Sequence, residues 1–255
     1  MNNINHLARL IPVLLVDNGR LIKTIKFQKQ IYLGDPINTI KIFNDKEVDE
    51  IVVLDITATE NNKEPDYKFI ASLAEECFMP VCYGGGICNI DQVKKILSLG
   101  IEKISLNTAL FNNRDLVKEV ARKYGSQAVV ASIDVKTDFF GHYHVYKNRG
   151  KYKVNIDVFE FINELEFDGV GELLINFIDR DGMYKGYDVS FIKKVVENTK
   201  IPVTACGGAK DLEDVRNMLK VTGVAAAAAG SIFVFSSETR GVLINYPNRL
   251  ELVNY

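Results

Sequence analysis

Residues 79–87 read Met-Pro-Val-Cys-Tyr-Gly-Gly-Gly-Ile, a short apolar run that ends in three glycines. The same arrangement returns at residues 201–209, which read Ile-Pro-Val-Thr-Ala-Cys-Gly-Gly-Ala, a step of about half the 255-residue chain. Two more pairs of motifs keep nearly the same step: Asp55 with Asp179, and Asn107-Thr108 with Gly230-Ser231. Repetition at half the chain length predicts two copies of one unit, each too small to bury a core alone.

Strand-like apolar runs alternate with helix-like stripes along the chain. Eight runs carry the strand pattern: residues 10–16, 51–56, 81–83, 103–106, 128–133, 173–177, 203–205 and 224–229. Between them lie stripes of helical spacing, one of which begins beside the candidate cap Asn89. Eight β/α units predict an α/β fold, a (β/α)8 TIM barrel that forms a single domain over residues 1–255. The half-length repeat predicts two half barrels, roughly 1–125 and 126–255.

A doubly wound sheet shows the same alternation of strands and helices and is the alternative fold. Its glycine fingerprint would have to follow the first strand, where such folds bind a dinucleotide. The first strand leads instead to Asp17-Asn18-Gly19-Arg20, so the sequence favours the barrel.

Composition and charge narrow the classes of partner. The chain is 47% hydrophobic, and its formal net charge of −2 is spread without blocks, which predicts neither a nucleic-acid nor a membrane partner. The apolar stretch at residues 224–235 is too short for a membrane span, which needs about 20 residues. The start of the chain lacks the pattern of a signal peptide, so a cytoplasmic location is predicted. Four cysteines without metal spacing are read as free thiols: Cys77, Cys82, Cys88 and Cys206.

Two insertions break the regular spacing of the units. Residues 17–34 follow the first strand and carry several basic side chains, and residues 139–146 follow the fifth strand and alternate like a hairpin arm. A basic turn around Arg149-Gly150-Lys151 comes next. Barrel enzymes work at the carboxyl ends of their strands, so both insertions are expected over the active face.

The glycine motifs indicate anion binding. Glycines directly after a strand let backbone amides approach a ligand, and amides at a helix start favour an anion. Two symmetry-related sets predict two anion sites on opposite sides of the barrel mouth, suited to a ligand with a phosphate at each end. The residues are Gly85, Gly86, Asn107 and Thr108 in one half, and Gly208, Gly230 and Ser231 in the other.

Carboxylates end several strands where a general acid or base would stand. Asp134 ends the fifth strand, Asp55 and Asp179 end the second and sixth, and Asp181-Gly182 lies just beyond. His6 is near the terminus, and His142 and His144 alternate on the hairpin, where a solvated role is as reasonable as a catalytic one. No metal-ligand spacing is present, so neither a metal nor a cofactor is predicted.

Four charged residues stand at the starts of strands, at the opposite end of the predicted barrel. They are Arg9, Glu50, Lys103 and Glu172, at the first, second, fourth and sixth strands. In a barrel they would ring the floor, although charges at strand entries are usually surface residues.

Several short segments, spread over nearly the whole chain, form a specific combination. They are Leu54-Asp55-Ile56-Thr57-Ala58, Gly84-Gly85-Gly86-Ile87, Ser105-Leu106-Asn107-Thr108-Ala109, Tyr124-Gly125-Ser126-Gln127-Ala128, Ile133-Asp134, Gly171-Glu172-Leu173-Leu174, Asp179-Arg180-Asp181-Gly182, Gly186-Tyr187-Asp188 and Gly207-Gly208-Ala209. In these segments the chain resembles the cyclase subunit of imidazole glycerol phosphate synthase, a barrel that works beside a glutaminase in histidine biosynthesis.

This resemblance implies a phosphorylated small-molecule substrate held across the mouth by two phosphates. It also implies a glutaminase docked on the floor as a heterodimer, whose ammonia passes through the barrel. Asp134 and Lys23 take the catalytic places, Asp181 and Gly182 join the phosphate-binding set, and the four floor charges stand where the family has its ammonia gate.

The chain departs from the family at the mouth. The family's acid/base pair comes from the first and fifth strands, but Leu15 stands at the first-strand position, and leucine neither accepts nor donates a proton. Asp17 has the same strand parity but belongs to the insertion. Further departures lie near the other strand ends: Asn176-Phe177 after the sixth strand, Lys210 after Gly208-Ala209, and Phe233-Val234-Phe235 near the chain end.

The chain keeps the floor charges of the family and departs from it at the mouth. In this combination it resembles the paralogous branch of the family that is linked with amidino or acetamidino groups on cell-surface sugars. There, ammonia from a glutaminase is used to modify a sugar, with a third, ATP-using sugar amidotransferase as a candidate partner. Two alternatives stay open. One is an authentic cyclase that uses Asp17 or His142 with Asp134, and the other is a non-catalytic scaffold that activates the glutaminase.

Overall fold

A computed structural model describes residues 8–236 and 241–248, and His6 lies outside these ranges. Within them the strands are β1 (Arg9–Asp17), β2 (Arg20–Ile25), β3 (Lys29–Gly34), β4 (Ile51–Asp55), β5 (Val81–Gly84), β6 (Lys103–Leu106), β7 (Val129–Thr137), β8 (Tyr143–Lys147), β9 (Tyr152–Val154), β10 (Glu172–Phe177), β11 (Val203–Cys206) and β12 (Ala226–Ala229). The helices are α1 (Pro36–Asp45), α2 (Tyr67–Glu76), α3 (Ile90–Ser98), α4 (Ala109–Asn112), α5 (Asp115–Tyr124), α6 (Val158–Asp168), α7 (Val189–Glu197), α8 (Leu212–Thr222) and α9 (Ser231–Val234).

Eight of these strands are parallel and close on themselves. Their order around the barrel is β1, β4, β5, β6, β7, β10, β11 and β12, and β12 pairs with β1 again. The predicted (β/α)8 barrel is therefore confirmed, and all eight predicted strands are present. The division into half barrels near residue 125 stays a prediction.

Strand alternation sorts the side chains into two cores. In β1, Ile11 and Val13 join the cluster inside the barrel, whereas Leu10 and Leu14 join the larger core between sheet and helices. Successive side chains of a strand point to opposite faces, so a barrel strand buried on both sides reads as a continuous apolar run. This explains why periodicity alone could not tell the inner from the outer face of residues 10–16.

The helices begin where the sequence provides a cap. Asn89 accepts a hydrogen bond from the Gln92 amide, and Gln92 reaches back to the Asn89 amide, which makes a capping box at α3. Aspartate side chains cap several other starts, among them Asp188 at α7 and Asp211 at α8. Each cap fixes the residue at which a loop ends and the following helix begins.

Both insertions fold into antiparallel ribbons rather than plain loops. β2 pairs with the end of β1 and with β3, and β8 pairs with the end of β7 and with β9. The hairpin arm expected at residues 139–146 starts only at Tyr143. The preceding residues form a turn because the Asp138 carboxylate accepts hydrogen bonds from the Phe140 and His142 amides, both at 2.9 Å.

Candidate functional site

A cavity of about 520 Å³ opens at the carboxyl ends of the barrel strands. All the predicted catalytic and phosphate-binding residues line it: Lys23, Asp134, Gly85, Gly86, Asn107, Thr108, Asp181, Gly182, Gly208, Gly230 and Ser231. The structure thus brings together residues that lie up to 208 positions apart in the sequence.

The lining holds two groups of anion-binding candidates, each after two adjacent strands. We call Gly85, Gly86, Asn107 and Thr108 the first grip, and Gly208, Gly230 and Ser231 the second grip. Gly85 and Gly208 have φ of 125° and 108°, and a Cβ would strike the backbone carbonyl of Asp55 at Gly85 and that of Gly186 at Gly208. Only glycine fits both the backbone conformation and the close approach.

Asp134 is buried at the bottom of the cavity, with 6% of the residue exposed. Burial, together with the nearby Asp181 carboxylate, raises the pKa of Asp134 to about 8. The Asn107 amide group donates to Asp134 Oδ2 at 3.3 Å and to the Ser132 carbonyl at 2.9 Å, which ties the first grip to β7. A carboxyl group that is largely protonated at neutral pH is suited to act as a general acid.

Lys23 reaches the cavity from the first ribbon and is held by Asp181. Its Nζ lies 2.5 Å from Asp181 Oδ1, while Thr24 Oγ1 donates to Oδ2 at 2.6 Å and the Phe27 amide donates to the same oxygen at 3.2 Å. The carboxylate of Asp181 is therefore committed to positioning the ribbon. A phosphate near it would have to be met by Lys23 and by backbone amides, since a carboxylate repels an anion.

Leu15 projects from β1 into the same cavity as Asp134, and Val13 lies beside it. Leu15 packs on the apolar cluster inside the barrel. Among the described residues that line the cavity, neither Asp17 nor His142 is present. Asp17 pairs in register with Arg20 in the first ribbon, and both His142 Nδ1 and His144 Nε2 contact the Asp138 carboxylate, at 3.2 and 2.9 Å.

The four predicted gate residues form one closed ring at the floor, in which the signs of charge alternate. Arg9 contacts Glu50 and lies 2.9 Å from Glu172. Lys103 lies 2.8 Å from Glu50 and 3.0 Å from Glu172. Each of these side chains thus contacts two of opposite charge. Thr204 also donates to Glu172 at 2.5 Å.

Mutual pairing outweighs burial in this ring. Burial lowers the pKa of Lys103, but the carboxylates of Glu172 and Glu50 raise it by more, so its pKa lies above the ordinary value. For Glu172, burial raises the pKa and the cations Lys103 and Arg9 lower it by more. Arg9, Lys103 and Glu172 are therefore charged at neutral pH.

An apolar layer separates the ring from the mouth cavity. It consists of inward-facing side chains from several strands: Ile11, Val13, Val52, Cys82, Val130, Leu174, Cys206, Ala226 and Ala228. Burial raises the pKa of the Cys82 thiol well above its usual range, and that of Cys206 to about 12, so both thiols are neutral. None of these residues carries a charge, so the part of the barrel interior that they form is apolar.

The basic turn noted in the sequence contributes Arg149 to the cavity lining, but other residues at the mouth were missed. Phe27 and Asn148 also line the cavity, and Glu60 pairs with the basic turn that follows β8. The cluster of basic residues in that turn was a signal, but its carboxylate partner lies about 90 positions earlier in the chain. Only the fold brings the two together.

In the part of the chain that the structure describes, no helix is both long and apolar enough to cross a bilayer. Nor do the described histidines, cysteines, aspartates and glutamates form a group of three or more that could hold a metal ion.

Comparison with known proteins found relatives that align with nearly the full length of this chain. The family described as histidine biosynthesis protein matches residues 9–239. A protein of Pseudomonas aeruginosa, named as a candidate imidazole glycerol phosphate synthase subunit hisF2, is 47% identical over 246 residues, covering 96% of this chain and 98% of that protein. Similarly named proteins are hisF3 of Vibrio vulnificus, 43% identical over 96% of this chain and 94% of its own length, and HisF of Leptospira interrogans, 44% identical over 94% and 95%.

Proposed function

Because the chain belongs to the histidine biosynthesis protein family, we propose that it is the barrel subunit of a glutamine-dependent amidotransferase. In this proposal a glutaminase docks on the floor and supplies ammonia. The ammonia passes the charged ring and the apolar layer and reaches a phosphorylated or sugar acceptor in the mouth cavity. The acceptor step modifies a surface sugar with an amidino or acetamidino group, and an ATP-using sugar amidotransferase completes the system.

The observation that carries this proposal is an intact floor beneath an altered mouth. The ring of Arg9, Glu50, Lys103 and Glu172 is complete, whereas Leu15 shares the mouth cavity with Asp134 where the family has a second aspartate. Neutral ammonia can cross an apolar layer at low cost, unlike ammonium or another ion. A chain that keeps the conduit and loses half of the acid/base pair is suited to another acceptor chemistry.

Complex formation and glutamine hydrolysis test the partner. We expect the chain to co-purify with the glutaminase encoded beside it, and to raise the rate of glutamine hydrolysis at least tenfold when a phosphorylated sugar is added. The Lys103→Met variant removes one of the two cations of the ring. We expect it to change the stimulation of glutamine hydrolysis. Absence of both co-purification and stimulation with the unmodified chain would refute the conduit.

Deletion of the gene tests the product. We expect the surface polysaccharide of the deletion strain to lack an amidino or acetamidino group when its sugars are analysed by mass spectrometry. A polysaccharide of unchanged mass, in a strain that now requires histidine, would contradict the proposal.

A second candidate is an authentic imidazole glycerol phosphate synthase cyclase. It is favoured by the names of the relatives and by Asp134, whose raised pKa suits acid/base work. It lacks a second group, because neither Asp17 nor His142 is among the described residues that line the cavity. Complementation of a histidine auxotroph that lacks its own cyclase distinguishes the two candidates.

A third candidate is a scaffold that activates the glutaminase without chemistry of its own. The Asp134→Asn variant separates it from both enzymes. A scaffold keeps full activity of the assembled system in that variant, whereas an enzyme that uses Asp134 loses most of it.

A further inference from the structure

Arg149 is a cation at the mouth to which the catalytic and phosphate-binding sets give no role. It lies in the turn between β8 and β9 and lines the cavity. The backbone amide of the preceding Asn148 donates to Thr108 Oγ1 at 3.1 Å. This hydrogen bond fastens the turn to the first grip, so the side chain of Arg149 enters the cavity on that side.

The guanidinium of Arg149 has an N–H donor that is not used by any described residue. Its side chain is 17% exposed, and its buried Nε has no hydrogen-bond partner among the described residues. Its only ion pair in that part of the chain is with Glu60, where Nη1 lies 3.5 Å from Oε2, too far for a good hydrogen bond. An arginine has five N–H donors and favours bidentate contact with an oxyanion, so a buried Nε without a partner marks an unused binding capacity.

Glu60 is also incompletely satisfied. Its Oε1 is bound by Lys151, but its Oε2, the atom that faces Arg149, has no hydrogen-bond partner among the described residues. Glu60 therefore neutralises Arg149 without satisfying its N–H donors.

The opposite side of the mouth repeats this arrangement with a lysine. Lys23 comes from the ribbon after β1 and lies against the second grip, since a Cβ on Gly230 would be 3.0 Å from its Cε. Each ribbon thus presents a cation to the grip on the neighbouring strand: the ribbon after β1 to the grip at β12, and the ribbon after β7 to the grip at β6. A ligand with two anionic ends needs a cation at each.

The β8–β9 turn is held down over the cavity by the first ribbon. Gly150 has φ of 71°, and a Cβ there would lie 3.0 Å from Ile178 Cδ1 and 3.3 Å from the Phe27 ring. The tips of the two ribbons therefore meet above the cavity, which keeps Arg149 directed into it.

We propose that Arg149 binds the anionic group of the acceptor at the first grip, as the counterpart of Lys23 at the second grip, and that Glu60 is the partner of Arg149 until the anion arrives. This rests on the proposed function, which supplies an acceptor with two anionic ends. It makes Arg149 a residue that determines specificity for a phosphate or a similar oxyanion at the first grip.

Titration of the full-length, ¹⁵N-labelled chain with inorganic phosphate tests the assignment. Amide signals of Gly86 and Thr108 report on the first grip, and those of Gly230 and Ser231 on the second. We expect phosphate to shift both sets in the unmodified chain. Arg149→Met is expected to weaken binding at least tenfold at the first grip alone, and Lys23→Met to do so at the second grip alone.

Lys147→Met is the matched control, because Lys147 lies on the same ribbon but contacts Asn112 and is not among the described residues lining the cavity. Equal weakening by Lys147→Met and Arg149→Met, or no weakening by Arg149→Met, would overturn the role of Arg149. If the unmodified chain binds phosphate at neither grip, the two-anion acceptor of the proposed function is itself refuted.

Glu60→Gln provides a gain of binding that misfolding cannot imitate. It keeps Arg149 and removes the competing carboxylate, so phosphate should bind the first grip at least threefold more tightly. Unchanged or weaker binding in this variant would also overturn the proposal.

Discussion

The two ends of the barrel hold buried charge in opposite ways. At the floor, four side chains of alternating sign form a closed ring in which every charge contacts two of opposite sign. At the mouth, Asp134 has no cation among the contacts described for it, a pKa raised to about 8 and a leucine at the symmetry-related position. The floor is suited to remain charged and shut, and the mouth is suited to exchange protons and anions. The charges at the floor are thus mutually paired, whereas the carboxyl group at the mouth is left open to a ligand.

The largest effect is expected at the floor. Lys103→Met leaves Arg9 as the one cation of the ring for Glu50 and Glu172, and both carboxylates are buried. Breaking a buried ion pair on one side typically costs about 3–5 kcal/mol, and we expect a loss of that size in the free energy of unfolding measured with urea. A loss below about 1 kcal/mol would show that the ring is more hydrated than its burial indicates.

The Asp134→Asn variant is expected to raise the free energy of unfolding at alkaline pH, whereas Lys103→Met lowers it. An aspartate whose pKa is raised by the fold stabilises the protein fully below about pH 4, and this contribution is lost as the pH rises through about 8. Asparagine does not titrate. The variant should therefore be more stable than the unmodified chain at pH 9 by at least about 1.4 kcal/mol, which is the free-energy equivalent of one unit of raised pKa.

Unfolding curves measured between pH 4 and pH 9 check this dependence, and the difference between the two proteins should vanish at the acid end. Asp17→Asn is the control, because Asp17 is not among the described residues that line the cavity. A gain in stability that does not vary with pH would contradict the raised pKa of Asp134.

Leu15→Asp places a carboxylate at the first-strand position where the family has its other acid/base aspartate. A second acidic group in the cavity faces desolvation and repulsion from Asp134 and Asp181, so we expect it to cost about 2 kcal/mol more than Leu15→Asn at pH 9. The two variants are nearly isosteric, which isolates the charge. Equal stability of both at pH 9 would show that Leu15 and Asp134 do not share one electrostatic environment.

The smallest effect is expected for the lysine–glutamate pair at the mouth. Lys151 pairs with Glu60 as Lys103 pairs with Glu50, but the two mouth side chains are 47% and 31% exposed against 19% and 4% at the floor. An exposed pair contributes about 0–1 kcal/mol, so Lys151→Met should change stability by less than about 1 kcal/mol. A loss as large as that of Lys103→Met would remove the distinction between the two ends.

The barrel and most of the mouth were predictable because their signals are local. Turn residues such as Gly85 and Gly208 follow short apolar runs, and the positions of Asp134 and Lys103 relative to a strand fix which end of the barrel they reach. The ion pairs between Lys23 and Asp181 and between Arg149 and Glu60 were not predictable. They join loops far apart in the sequence, and their geometry depends on two ribbons whose strands lie outside the eight-unit pattern.

We propose that the mouth has left the histidine-pathway reaction while the floor has kept an ammonia gate. The most direct measurement is formation of imidazole glycerol phosphate by the purified barrel, supplied with ammonium salt at alkaline pH and with the substrate of the histidine-pathway cyclase. We expect no turnover above the uncatalysed rate, because Leu15 cannot complete the acid/base pair with Asp134. Turnover at the rate of an ordinary cyclase subunit would contradict the claim.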